Sequence, residues 1–150
     1  MRNYSITALA GLLFALAACG GSSSANINGR YLGTFRNSDN SVAGGLNAQL
    51  TQSSGSNVML SNLSLSMGSC FTATTTQSAT FTRTADKNGI EMGTLTMTVS
   101  SVSVPGTGAN VMTINTSRGT EGNFSGSWTL TGTAGCNGGG PFTLNGIPPV

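Results

Sequence analysis

The chain has 150 residues and a mass of 15.1 kDa, the size of one ordinary domain. Charged residues make up 7% of it, and a net charge of +2 is too small to favour a nucleic-acid partner. The sequence contains no histidine, which removes the usual general base and the commonest metal ligand. Its 22 glycines, mixed with many serines and threonines, favour short strands and turns over helices.

The N-terminal segment has the pattern of an export signal. Arg2 gives it a positive start, and the apolar stretch from Ile6 to Ala18 is too short to span a bilayer. This stretch runs into Leu16-Ala17-Ala18-Cys19, which resembles the lipobox of bacterial lipoproteins. The resemblance implies cleavage before Cys19 and attachment of several acyl chains, such as palmitate, which together hold a protein at a membrane. The alternative is an ordinary secretory signal with an incidental cysteine.

Three segments follow from this pattern: a signal peptide over 1–18, the lipidated Cys19 with a flexible Gly/Ser tether over 19–28, and one folded domain over 29–150. In the lipoproteins that the lipobox resembles, the residue after the cysteine helps to choose the membrane. Gly20, where aspartate would retain the protein on the inner membrane, implies the outer membrane of a Gram-negative envelope.

The folded segment alternates apolar and polar residues between regularly spaced turn signals, as short antiparallel strands do. The apolar phase slips between Leu60 and Leu63, and again at Gly93, which predicts two β-bulges. A longer connection runs over Met67–Gln77. The eight predicted strands are Gly29–Asn37, Val42–Gln52, Asn57–Ser66, Ser78–Thr84, Ile90–Ser100, Ala109–Thr116, Asn123–Thr133 and Gly140–Gly146.

Eight strands joined by short turns predict an all-β fold, a small antiparallel up-and-down barrel, because closure removes the exposed edges of a sheet. The first strand (GRYLGTF) and the last (GGPFTL) would pair to close it, and a β-sandwich is the alternative. The element Gly29-Arg30-Tyr31 is similar to the Gly-x-aromatic start of lipocalin- and avidin-type barrels. That resemblance implies an interior that can hold one small apolar ligand.

Two cysteines remain once Cys19 carries lipid. Cys70 lies in the third connection and Cys136 in the seventh, and in an up-and-down meander odd-numbered connections share one end. A disulfide between them is therefore possible in an oxidising compartment. The alternative is a pair of free thiols, whereas two cysteines without histidine do not make a metal site.

The remaining polar residues predict no catalysis, no cofactor and no metal. Glu91 is out of phase with Ile90 and Met92, so we expect it to face solvent. The serines have no histidine base, and the acidic residues outside the strands occupy turns.

Five residues are candidates for a ligand-binding interior. Arg83 shares a phase with Phe81, where it would meet an anionic group; the alternative is that it reaches out from the strand end to solvent. The methionines and the single tryptophan are typical of core filling, or of an adaptable apolar pocket. The candidate ligand-binding residues are Phe81, Arg83, Met97, Met112 and Trp128.

Two functions compete for this outer-membrane lipoprotein. One is the binding of a small apolar ligand inside the barrel. The other is binding of an envelope protein through the loops far from the membrane, because some small periplasmic β-barrels that the chain resembles inhibit enzymes in this way. A structural role in the envelope is a third reading. We expect a monomer that is attached to the membrane by its lipid.

Overall fold

A computed structural model describes residues 26–52, 55–72, 74–101, 108–133 and 135–148. The predicted signal peptide and Cys19 lie outside the described residues. Within those ranges, no helix is long and apolar enough to cross a membrane.

Eight strands form a closed antiparallel barrel in which each strand pairs with its neighbours in sequence. The first and last strands close it, with Gly33 opposite Leu144 and Phe35 opposite Phe142. The predicted up-and-down barrel is therefore confirmed, and the sandwich is not formed. The strands are β1 (Gly29–Arg36), β2 (Val42–Gln52), β3 (Asn57–Ser66), β4 (Thr74–Lys87), β5 (Ile90–Ser101), β6 (Val111–Arg118), β7 (Phe124–Thr131) and β8 (Gly138–Ile147).

The largest difference from the predicted bounds is in β4. This strand begins at Thr74, so the predicted connection Met67–Gln77 is partly strand. Its early residues pair with the end of β5, where Thr74 lies opposite Ser101 and Gln77 opposite Val99. A run of polar threonines has no apolar alternation to mark it, although threonine itself favours strands.

The predicted bulge in β3 is present. The register against β2 shifts where Asn47 pairs with Ser64 but Gln49 pairs with Ser61, which leaves one extra residue on β3. Asn62, with φ of 51°, lies at this point. Asparagine tolerates this left-handed backbone better than most residues.

The predicted phase change at Gly93 is wrong. Burial alternates without a break along β5, so that Glu91, Gly93 and Leu95 all face inward. The irregularity lies on the neighbouring strand, where Arg83 pairs with Gly93 but Ala85 pairs with Met92. Glu91 is therefore buried, contrary to the expectation that it faces solvent.

Candidate functional site

Four of the five candidate ligand-binding residues lie in one buried core. Phe81, Met97, Met112 and Trp128 are each no more than 3% exposed. Their neighbours in the barrel wall are also apolar: Met97 lies opposite Ala79 and Ile114, and Met112 opposite Val99 and Leu130. The remaining candidate, Arg83, does not join them, because its side chain is 54% exposed.

Aromatic rings occupy much of the barrel interior and form two groups along its length. In one group Phe124 meets both Tyr31 and Phe81 edge to face, with ring centroids 5.8 and 6.1 Å apart. In the other, Phe35 lies between Phe142 at 4.7 Å and Trp128 at 5.5 Å. These spacings are those of rings in contact, so the rings themselves fill the space around them.

The segment before β1 covers the end of the barrel at which β1 begins, here called the N-terminal end. Ile27 is fully buried, although the predicted flexible tether over 19–28 includes it. The carbonyl of Ile27 accepts a hydrogen bond from the Tyr31 hydroxyl at 3.0 Å. Arg118 Nη1 donates to the carbonyl of Asn26 at 3.3 Å. The packed part of the chain thus extends upstream of Gly29.

Burial also changes the acidity of Tyr31. Loss of solvent disfavours the phenolate and raises the pKa of Tyr31, while the positive charge of Arg118 partly opposes this rise. The Arg118 guanidinium lies 5.6 Å from the Phe124 ring centroid. Together these contacts form a hydrogen-bonded closure of the N-terminal end.

Arg83 and Glu91 form an ion pair beside this closure. Arg83 Nε lies 3.5 Å from Glu91 Oε1, and the Glu91 side chain is only 11% exposed. Asp86 also pairs with Arg83. The pair borders a surface depression of about 320 Å³, whose lining includes Gln52 and Phe81. The Arg83 guanidinium thus gives the partly buried Glu91 carboxylate an opposite charge as its partner. Among the described residues, no three side chains that could bind a metal ion come together.

The opposite end, here called the disulfide end, carries the predicted Cys70–Cys136 disulfide, which is present with a Cα–Cα distance of 5.6 Å. It joins the β3–β4 and β7–β8 connections, as the counting of connections predicts. Both connections also bind Asn110. Asn110 Nδ2 donates to the carbonyl of Cys70 at 2.9 Å, and Asn110 Oδ1 accepts from the amide of Thr133 at 2.8 Å. The disulfide and Asn110 therefore hold these loops together.

The register pairing between β3 and β4 is short. Among the residues that the structure describes, Asn57–Thr80 and Val58–Ala79 are the only pairs in register, whereas β6 and β7 pair at eight positions from Val111 to Arg118. The side of β3 that faces β4 beyond Val58 is here called the seam. Gln77 Nε2 reaches across it to the carbonyl of Leu60 at 3.3 Å.

Comparison with known proteins finds no family model, no curated protein and no solved structure that matches this chain. Sequence reasoning missed Ile27, Asn110 and the seam. Ile27 could have been found from the sequence, because it is an isolated apolar residue between two asparagines. The roles of Asn110 and the seam depend on contacts between segments that are distant in the sequence.

Proposed function

We propose that this protein is a non-catalytic lipoprotein of the outer membrane that acts by binding another envelope protein through its disulfide end. The observation that supports this is the filling of the barrel by its own side chains, among them Phe35, Met112 and Trp128. A small apolar ligand inside the barrel would have to displace such residues from a packed core, at a cost in stability. Binding through the exterior needs no such rearrangement.

The disulfide end suits this role because described residues of its β3–β4 connection are exposed yet held in place. Ser69 and Thr72 are exposed, while Cys70 and Asn110 tie their segment to the connection that follows β7. Loops fixed on a rigid scaffold lose little conformational entropy when they bind. An anchor at Cys19 would join the chain near the N-terminal end, which leaves the disulfide end directed away from the membrane.

Site-specific photocrosslinking in intact cells tests the proposal. A photoreactive phenylalanine at Ser69 or at Thr72 should give the same heavier adduct, and one at Thr120, in the turn before β7 at the N-terminal end, should give none. The partner identified from the adduct should bind the purified protein about tenfold more weakly after Ser69→Arg and unchanged after Thr120→Arg. Adducts at Thr120 alone, or at none of the three positions, would contradict the proposal.

The lipid anchor has its own test. Cys19→Ser should move the protein from the membrane fraction to the soluble fraction, because a serine side chain cannot form the thioether. Gly20→Asp should keep the lipid but move the protein to the inner membrane. Wild-type protein that is found soluble after processing would contradict lipidation at Cys19.

A further inference from the structure

Two polar side chains occupy inward positions at the N-terminal end of the barrel. Gln52 follows the inward phase of Leu50 on β2, and Glu91 lies on the inward face of β5. Both residues line the surface depression of about 320 Å³, together with Phe81 and Arg83. This depression, bounded by Gln52, Phe81, Arg83 and Glu91, is here called the notch. It places polar groups at the point where the apolar core meets solvent.

Gln52 brings an acceptor without a donor to the notch. Its Oε1 atom is buried, and no hydrogen-bond donor among the described residues reaches it. The backbone amide of Gln52 donates to Asn28 Oδ1 at 2.6 Å, which ties this end of β2 to the segment before β1. A buried carbonyl oxygen that lacks a donor is costly and rare in folded proteins. Its presence in the lining of a depression points to a ligand that supplies the donor.

Glu91 brings a second acceptor to the same notch. Its side chain is 11% exposed, and its Oε1 atom lies 3.5 Å from Arg83 Nε. This separation is longer than a charge-assisted hydrogen bond, so the carboxylate keeps acceptor capacity for further donors. Arg83 is 54% exposed and pairs with Asp86 as well. The notch therefore combines two oxygen acceptors that are shielded from solvent with a guanidinium that is open to it.

We propose that the notch binds a small ligand that carries both a primary ammonium group and an anionic group, the chemistry of phosphoethanolamine. An ammonium has three donors and no acceptor, so it satisfies Gln52 Oε1 and the Glu91 carboxylate together. The anionic group meets the exposed guanidinium of Arg83. The charged residues that line the notch, Arg83 and Glu91, cancel, which matches a ligand with no large net charge. A metal ion fits less well, because no three metal-binding side chains come together among the described residues.

This inference goes beyond the proposed function, because the notch lies at the opposite end of the barrel from the disulfide. Two sources supply the same chemistry: a phospholipid headgroup, and a free zwitterion in solution. Attachment at Cys19 would place the N-terminal end next to the membrane and its headgroups. The experiment therefore compares the free headgroup with a soluble lipid that carries it.

Titration of the ¹⁵N-labelled protein, followed by two-dimensional NMR, tests the notch. Phosphoethanolamine should give saturable shifts of the Gln52 side-chain amide and the Glu91 backbone amide, with a dissociation constant of about 1 mM. Phosphocholine is the matched probe, since it has the same charges but no N–H donor, and it should bind at least about tenfold more weakly. Short-chain phosphatidylethanolamine that binds more tightly than phosphoethanolamine would identify a lipid as the source, whereas equal affinities would identify a free ligand.

Three variants locate the site. Gln52→Leu should weaken binding of phosphoethanolamine about tenfold without lowering the free energy of unfolding, because Oε1 makes no hydrogen bond that the variant would lose. Glu91→Gln, which keeps the shape of the side chain and removes its charge, should weaken binding as much. Gln49→Leu, on the outward face of the same strand as Gln52, should leave binding unchanged.

Equal binding of phosphoethanolamine and phosphocholine would overturn the inference. So would the absence of saturable shifts at about ten times the expected dissociation constant, or an unchanged affinity in Gln52→Leu. None of these results would alter the crosslinking expected at Ser69, so the notch and the proposed function fail separately.

Discussion

The hydroxyl of Tyr31 donates a hydrogen bond to the backbone carbonyl of Ile27, 3.0 Å away and four residues earlier in the chain. This contact joins the first strand to the segment that precedes it, in which Ile27 is completely buried in the core. The N-terminal end of the barrel is thus closed by the chain itself. A closed end and a core filled with rings both favour a function on the outside of the barrel.

Ile27→Ala should destabilise the fold by about 2–4 kcal/mol, the usual cost of truncating a large aliphatic side chain in a core. Chemical denaturation followed by Trp128 fluorescence measures this free energy of unfolding. Leu32→Ala is the control, because Leu32 is 51% exposed, and it should change stability by less than about 0.5 kcal/mol. Equal effects of the two variants would show that the segment before β1 is not part of the fold.

The raised pKa of Tyr31 predicts a loss of stability in alkaline solution. The folded state keeps its phenol proton to higher pH than the unfolded state, whose tyrosine titrates near the ordinary value of 10.0. The contribution of protonated Tyr31 to the free energy of unfolding is therefore complete below pH 10.0. It is lost as the pH rises through the raised pKa of Tyr31 in the folded state. The two tyrosines of the sequence are Tyr4 and Tyr31, so in a Tyr4→Phe variant the phenolate absorbance reports Tyr31 alone. A midpoint at or below 10.0 would contradict the burial.

Removal of the disulfide should cost about 4 kcal/mol by the loop-entropy relation, given the 66-residue separation of Cys70 and Cys136. The Cys70→Ser, Cys136→Ser double variant should therefore unfold at much lower denaturant concentration than the wild type. Under reducing conditions the wild type should fall to the stability of the double variant. A double variant as stable as the oxidised protein would show that the Cys70–Cys136 disulfide does not stabilise the fold.

Gly93→Ala tests the inward orientation of this glycine. An added Cβ would lie 2.6 Å from the Phe81 ring and would also clash with the carbonyl of Thr82, so we expect a loss of about 1–3 kcal/mol. Gly45→Ala is the matched control on another strand, because its added Cβ meets the Gly33 carbonyl at an ordinary 3.6 Å. Thermal unfolding of both variants gives the comparison, and a stable Gly93→Ala protein would place this position outside the core.

The alternation of apolar residues predicted the strands well where it was unbroken. The bounds of β2 and β3 agree with the structure because turn residues flank a clear alternating pattern. The orientation of Glu91 was predicted wrongly because Ile90 and Met92, as apolar residues, were expected to face inward. In the structure Glu91 is buried, and Ile90 and Met92 alternate with it on the outer face. The true bulge lies beside Thr84, where Thr82, Thr84 and Asp86 supply no apolar phase to reveal a shift.

The candidate interior was predicted only in part, for a related reason. Alternation shows that Met97 and Trp128 face inward, and both are buried. Whether inward residues leave a cavity depends on how rings from distant strands meet, such as Phe35 and Phe142 at 4.7 Å. That packing is a property of the closed barrel, and it has no local signature in the sequence.

Native mass spectrometry tests most directly the claim that the barrel is filled by its own side chains. The protein would be purified without denaturant, and its mass would be compared before and after unfolding. We predict the same mass in both states, that of the chain alone with two hydrogens lost at Cys70 and Cys136. An additional small molecule that is retained in the native state and released on unfolding would contradict the claim and favour a ligand-binding barrel.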